Sequence, residues 1–402
     1  MRYKTPQLAL ILSCIVFLTF GLFNAGIGPV LNELAAQTGS TLAAVGAIFT
    51  FLFLGSLIAQ IAAGPLTDRF GQTLILAISL LLLGAGIFGF LSARSTTVLF
   101  AFVFVAGLGQ GGVDLGANLV VSDSYPKNKT SMLNLLHFFF GLGAFIGPAL
   151  VGLTIASLGS GLIVHWSAAG IFILLAIFTL VFLKSARTKT ANGNLEPKKK
   201  LGRELVYLSP LLWILGGLIL LYVGIEYALG QWISIYLKTS THMALQNGAL
   251  VTSAYWGALT LGRLASVALS RKMSNIRLLT LAISGSMLGG IAIFLSKGMV
   301  TPSIISLVWI GFTFGTVYPT TVAIASSSFS QQQGKAVGAL AAMGSVGGLA
   351  LPWLAGLLLE IKGSAFYLSF MIVILLLLLT AVLVTRSMLK VVQSKKSIKA
   401  NS

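Results

Sequence analysis

Apolar runs of about twenty residues recur along this chain from one end to the other, and each is long enough to cross a hydrocarbon core roughly 30 Å thick. Twelve can be read, at 8–31, 41–63, 73–92, 97–121, 132–157 and 162–183, then at 210–237, 246–269, 277–296, 302–325, 335–359 and 364–385. Backbone groups in lipid must be hydrogen-bonded within the protein, and continuous runs of this length achieve that as helices rather than as barrel strands. The sequence therefore predicts an all-α, polytopic membrane protein. Its 402 residues are 56% hydrophobic and only 8% charged, which fits no ordinary soluble domain. The first run is longer than the apolar core of a signal peptide and eleven more follow it, so it is read as the first helix.

A formal charge of +18 would suit a nucleic-acid partner, but the placement of the charges argues against one. With loops assigned alternately to the two sides, 22 of the 26 Lys and Arg residues fall on one side, Arg263 among them, and 4 (Arg94, Lys238, Lys297 and Lys362) on the other. That asymmetry is the positive-inside pattern and predicts cytoplasmic termini, in a bacterial plasma membrane. No loop carries the basic stripe with interleaved aromatics that would bind nucleic acid. The single cysteine, Cys14, lies inside the first run and forms no intrachain disulfide.

The longest polar stretch, 184–209, contains Pro197 and the run Lys198, Lys199 and Lys200. It reads as a cytoplasmic linker between an N-terminal six-helix unit, 1–183, and a C-terminal one, 210–385, with a basic cytoplasmic tail at 386–402. The units look related. A shift of 204 residues lays Gly107 and Gly111 on Gly311 and Gly315, and Gly143, Pro148 and Gly152 on Gly347, Pro352 and Gly356. One offset serving two helix pairs is what duplication of a six-helix unit leaves behind, and it predicts two pseudo-symmetric bundles.

Between the second and third runs the chain reads Gly64, Pro65, Leu66, Thr67, Asp68, Arg69, Phe70, Gly71. This resembles the signature loop of the major facilitator superfamily, with glycine, aspartate, arginine and glycine at fixed spacing. Gly64 and Gly71 would permit a tight turn, and Asp68 would cap a helix and pair with a cation at a cytoplasmic gate that includes Arg69. The basic pair usual after the second glycine is Gln72 and Thr73 here, and the second half keeps a degenerate echo in Gly262, Arg263, Leu264, Arg271 and Lys272.

Eight acidic residues are present, and two of them, Asp114 and Glu226, fall inside apolar runs. A carboxylate at that depth is costly and normally faces a bundle interior or a wet cavity. Low-dielectric surroundings favour the neutral form of a carboxyl group, the condition that a reversible proton carrier needs. Asp114 has Asn118 one turn away. His137 lies at similar depth in the next run with Asn134 beside it, so Asp114, His137 and Glu226 are the candidates for proton coupling. Aromatic faces with amides and hydroxyls are how proteins hold sugars, and Asn24, Gln60, Gln110, Gln231, Tyr255, Trp256, Trp309 and Tyr318 supply such groups. Each of these polar or aromatic residues also has a plain structural reading, as a helix-packing or lipid-facing group. No phosphate-binding loop, metal-spaced His/Cys cluster or nucleophile elbow occurs, so the chain reads as a transporter without cofactor or metal, driven by an ion gradient and not an enzyme.

A narrower resemblance rests on Gly112-Val113-Asp114-Leu115-Gly116-Ala117-Asn118 and Leu133-Asn134-Leu135-Leu136-His137, with Tyr222-Val223-Gly224, Tyr318-Pro319-Thr320 and Gly347-Gly348 in the second half. These are similar to the fucose/galactose/glucose:proton symporter branch of the superfamily. The resemblance implies sugar recognition by Asp114 and proton-coupled sugar uptake. The branch's first-helix aspartate would fall near Asn24, Ala25 and Gly26, where this chain has none. The rival reading is a drug or metabolite/proton antiporter: Gly143, Gly147, Pro148 and Gly152 partly match its fifth-helix motif, whereas Gly107 stands where that class has an arginine. The expected partners are thus a small solute, protons and membrane lipids, around a monomer.

Overall fold

The computed structural model describes residues 6–182, 206–296 and 298–401, with side chains from 391 onward and at 64, 130 and 331 left aside. Most of the linker expected at 184–209 lies outside these residues, as do Arg2, Lys4 and Lys297. Fourteen α-helices and three short 3-10 turns make up the described chain, with no strand among the described residues. They are α1 Pro6–Thr38, α2 Leu42–Gly46, α3 Ile48–Phe70, α4 Gln72–Ser92, α5 Thr96–Ser124, α6 Lys129–Leu158, α7 Leu162–Phe182, α8 Pro210–Thr241, α9 Leu245–Leu269, α10 Asn275–Leu295, α11 Val300–Phe314, α12 Val317–Ser328, α13 Gln333–Lys362 and α14 Ser364–Asn401. Helix α14 runs through Arg386 and Lys390, so the basic tail begins inside it.

Eleven segments among the described residues are long and apolar enough to cross a bilayer. The span expected at 246–269 is the one that falls short. Helix α9 has the length, 25 residues, but Gln246, Asn247, Thr252, Ser253, Arg263 and Ser266 make it less apolar than its neighbours. Two runs that looked continuous in the sequence are broken. The run at 41–63 divides at Ala47 into α2 and α3. The run at 302–325 divides at Gly315 and Thr316 into α11 and α12, because Pro319 has no N–H to give to Gly315. At this break the Phe314 carbonyl instead accepts from the Tyr222 hydroxyl at 3.0 Å.

The helices pack in recurring pairs. In the first half α1 lies along α6, α3 and α4 along α5, and α4 along α7; in the second α8 lies along α13, α9 and α10 along α11, and α10 along α14. The halves meet where α6 packs on α9 and α13 on α3. The glycines that repeat at an offset of 204 explain the closeness of several of these pairs. A Cβ on Gly107 or Gly111 would collide with the Leu52 or Ser56 carbonyl of α3, and one on Gly311 or Gly315 with the Tyr255 or Leu259 carbonyl of α9. Gly143 meets the Leu18 carbonyl of α1, and Gly347 meets that of Leu220 on α8. The correspondence ends at the last pair, since Gly152 faces the Gln246 carbonyl while Gly356 faces the Trp232 ring.

Candidate functional site

A cavity of ≈ 1160 Å³ lies between the two halves, lined by α1, α3, α5 and α6 on one side and α8, α9, α12 and α13 on the other. It extends to the exposed Lys129, at the start of α6, and Arg271, just beyond α9. These mark the end of the bundle where the basic residues gather.

At the opposite end the halves are bonded together. Gln231 Nε2 donates to the Asn24 carbonyl at 2.9 Å, Thr50 Oγ1 to that of Leu349 at 2.9 Å, and the Ser253 hydroxyl to that of Phe145. The Glu360 carboxylate, at the end of α13, accepts from Leu42 N at 3.3 Å and from Ala43 N, the first turn of α2. Trp232 is fully buried; its ring is what a Cβ on Gly46 or Gly356 would meet, and its Nε1 donates to the Pro352 carbonyl at 2.8 Å. A neutral hydrogen bond contributes about 0.5–1.5 kcal/mol net and one to a charged group about 1.5–3. These bonds, with the packing of α1 against α8 and of α2 against α13, close this end, while the lining of the cavity reaches exposed residues at the basic end.

Both intramembrane acids line the cavity. Asp114 projects from α5, with Asn118 Nδ2 one turn on donating to its Oδ1 at 3.2 Å and to its carbonyl at 2.8 Å. Among the described residues no cation pairs with it. Glu226, on α8, is 5% exposed and is paired with Arg263 of α9, whose Nη2 lies 3.3 Å from Glu226 Oε1. Sequence reasoning counted Arg263 as a loop cation, and the structure corrects this. Because α9 continues to Leu269, Arg263 sits inside the helix and lines the cavity. The signal available was its position within the 246–269 run; its pairing with a residue 37 positions away was not legible.

His137 and Asn134 of α6 are exposed to the cavity, and the His137 ring meets Phe17 edge-on at a centroid distance of 5.4 Å. The structure does not join His137 to Asp114 by a hydrogen bond, because α5 and α6 touch only sparsely. Gln60, Gln110, Trp256 and Tyr318 also line the cavity. Gln60 donates to Ser56 Oγ at 3.3 Å, while Gln110 Oε1 and Trp256 Nε1 are buried with no partner among the described residues. Tyr227 and Tyr318 lie within electrostatic reach of both Asp114 and the Glu226–Arg263 pair, so these charges share one chamber.

Five of the polar and aromatic residues singled out in the sequence do not line it. Asn24 and Gln231 are used in closing the far end, and Asn118 stands behind Asp114. Tyr255 is buried, donating to the Glu226 carbonyl, and Trp309 is exposed on the outer surface with its Nε1 on the Gly285 carbonyl. None of the described acidic, histidine and cysteine residues forms a cluster of three or more that could hold a metal.

The sequence pattern of the Major Facilitator Superfamily matches residues 12–331. The chain belongs to this superfamily. It is thus a multi-pass membrane transporter. Among curated relatives, the sodium-dependent glucose transporter 1 of Xenopus laevis is 26% identical over 360 residues, 82% of this chain and 71% of that one. The protein of the same name from Homo sapiens is 23% identical over 380 residues, 86% of this chain and 72% of that one. Solved structures of the same fold include an inward-facing, occupied bacterial homologue of the human lysosomal transporter Spinster, with a TM-score of 0.79, 15% identity and coverage of 95% of this chain and 97% of that one. The nucleoside transporter NupG also matches, with a TM-score of 0.76, 14% identity and coverage of 96% and 99%.

The superfamily's signature segment is more helical than its sequence suggests. Helix α3 continues through Gly64 and Pro65 to Phe70, so the expected turn contracts to Gly71, whose φ of 88° suits glycine. Asp68 is exposed, does not cap α4, and has no cation partner among the described residues; Arg69 instead lies over the Phe70 ring, 5.1 Å from its centroid. In place of a basic residue, Gln72 donates through Nε2 to Asp123 Oδ2 at 2.5 Å, tying the start of α4 to the end of α5.

Proposed function

We propose that the chain is a secondary active transporter that takes up a hexose-type sugar in symport with protons, by alternating access of the central cavity. The cavity carries this reading: it is bounded by both halves, open at one end, closed at the other by hydrogen bonds and helix packing, and walled by phenylalanines, Trp256 and Tyr318 beside Asp114, Gln110, Gln60 and Asn134. Such a mixture of ring faces and hydrogen-bonding groups suits a solute with apolar faces and a rim of hydroxyls. The relatives named as glucose transporters make glucose the first solute to test. Asp114, which has no cation partner among the described residues, is the proton carrier in this reading; Glu226 is held by Arg263 and His137 is a relay on the facing wall.

The architecture we propose is twelve spans in two six-helix bundles, 1–183 and 210–385, joined by the linker 184–209 and followed by the tail 386–402. Helix α9 is the twelfth span, its polar face accounted for by Trp256, Thr260, Arg263 and Ser266, which line the cavity. The recurrence of the same packing pairs in both halves supports the duplication. The charge asymmetry supports cytoplasmic termini in a bacterial inner membrane, and the basic, open end then faces the cytoplasm. A single chain encloses the cavity, which supports a monomer.

The test is uptake of a labelled sugar panel into proteoliposomes under an imposed pH gradient. Hexose accumulation that collapses in Asp114→Asn supports the proposal, and dye export without a sugar response overturns it in favour of the antiporter. The sodium-dependent glucose transporters among the relatives favour one second reading, sodium in place of the proton. Accumulation driven by a sodium gradient alone would establish it.

A further inference from the structure

We propose that Arg263 is a solute-binding residue: Glu226 holds its guanidinium by one edge, and the remaining donors take a pair of adjacent hydroxyl oxygens on the transported sugar. This rests on the reading of the cavity as a sugar site.

A guanidinium carries five N–H donors in a fixed fork and has no acceptor. Among the described residues Arg263 uses one of them, in the single 3.3 Å contact with Glu226. A residue present only to neutralise a buried carboxylate would be expected to engage it with two parallel bonds and to be buried with it. Arg263 does neither: its side chain is 31% exposed against 6% for Glu226, and it lines the cavity. The acid therefore stands behind the arginine. The arginine's remaining donors are directed at the open cavity, where a ligand's hydroxyl oxygens can take the place of water.

Position and charge narrow the ligand. Arg263 lies six residues before the end of α9, roughly 9 Å along the axis, within electrostatic reach of His137 on the opposite wall. Asp114 shares the chamber, so its deep part holds two acids to one arginine. An anionic solute would add a third negative charge there, whereas a neutral polyol would not. A polyol also offers adjacent hydroxyls whose spacing suits the guanidinium fork, and Asp114 can accept from hydroxyls on the molecule's other side. The transported class is accordingly a neutral polyhydroxylated solute gripped from both halves, Asp114 from the first and Arg263 from the second.

The experiment compares wild type, Arg263→Lys and Arg263→Gln in proteoliposomes, measuring counterflow KM for glucose and for a set of monodeoxyglucoses. The wild type should discriminate against the deoxy analogue that lacks the gripped hydroxyl by roughly tenfold or more. Arg263→Gln should raise the glucose KM by a similar factor and lose that discrimination, with Arg263→Lys intermediate. A second measurement needs no variant: phenylglyoxal modification of Arg263, read by peptide mass, should slow severalfold with glucose present, while modification of the exposed Arg69 stays constant. If glucose is transported but Arg263→Gln keeps the wild-type KM and deoxy profile, or glucose leaves Arg263 modification unchanged, the Arg263 proposal is overturned and the sugar reading stands. If the wild type shows no counterflow with any sugar, both fall.

Discussion

Replacing Glu360 by glutamine should unlatch the closed end of the cavity. Glu360 is exposed and receives the Leu42 and Ala43 amides with its two oxygens, the only carboxylate that bonds across the halves among the described residues. Glutamine keeps one acceptor oxygen, loses the charge and sets an NH2 group beside an amide. A hydrogen bond to a charged group contributes about 1.5–3 kcal/mol and a neutral one about 0.5–1.5; exposure to water brings the difference toward the low end. A loss of about 1 kcal/mol moves the equilibrium toward the form open at that end about fivefold. Spin labels at Ser157→Cys and Lys362→Cys, exposed positions on α6 and α13, report the separation of the two halves at this end, in a Cys14→Ala background. The longer-distance population should rise about fivefold in Glu360→Gln. Glu33→Gln is the control, because Glu33 makes similar bonds to Gly161 N and Ser160 Oγ, both at 2.7 Å, within one half. An unchanged distance distribution in Glu360→Gln, or an equal change in Glu33→Gln, would refute the reasoning.

Gly143→Val and Gly347→Val should each lower the thermal unfolding midpoint, since a Cβ at either site would collide with a backbone carbonyl of the neighbouring helix; overpacking costs about 1–3 kcal/mol, and Gly170→Ala, with open space around it, should leave the midpoint unchanged. Asp114→Asn should abolish gradient-driven accumulation in proteoliposomes, and accumulation at the wild-type level would remove Asp114 from coupling. Gln231→Ala breaks the bond to the Asn24 carbonyl and, at about 1 kcal/mol, should shift the same spin-label distances in the direction of Glu360→Gln.

The sequence exposes what depends on composition along one helix. The apolar runs appear as helices because twenty such residues in lipid have no other way to satisfy their backbones. Asp114 and Glu226 both line the cavity because an acid at that depth needs a wet or polar surrounding. Contacts between helices were not legible. Gln231 and Asn24 read as cavity amides, yet the Gln231 amide donates to the Asn24 backbone carbonyl at the closed end and the Asn24 amide to the Phe20 carbonyl of its own helix, and only the packing of α1 against α8 reveals this. Arg263 was counted with the loop cations although it lies six residues inside the 246–269 run, because positive-inside counting sorts every basic residue near a span's cytoplasmic end to that side. The breaks at Ala47 and Gly315 leave the hydropathy of their runs unaltered, so hydropathy cannot reveal them; only Pro319 hinted at the second.

Sugar counterflow in proteoliposomes tests the central claim most directly, because it needs the cavity to open alternately to both sides but needs no knowledge of the coupling ion. Vesicles preloaded with unlabelled glucose should transiently concentrate labelled glucose against its own gradient, and the overshoot should vanish in a Gln110→Ala, Asp114→Asn double variant that still folds. Folded wild-type protein that produces no overshoot with any hexose would contradict the account.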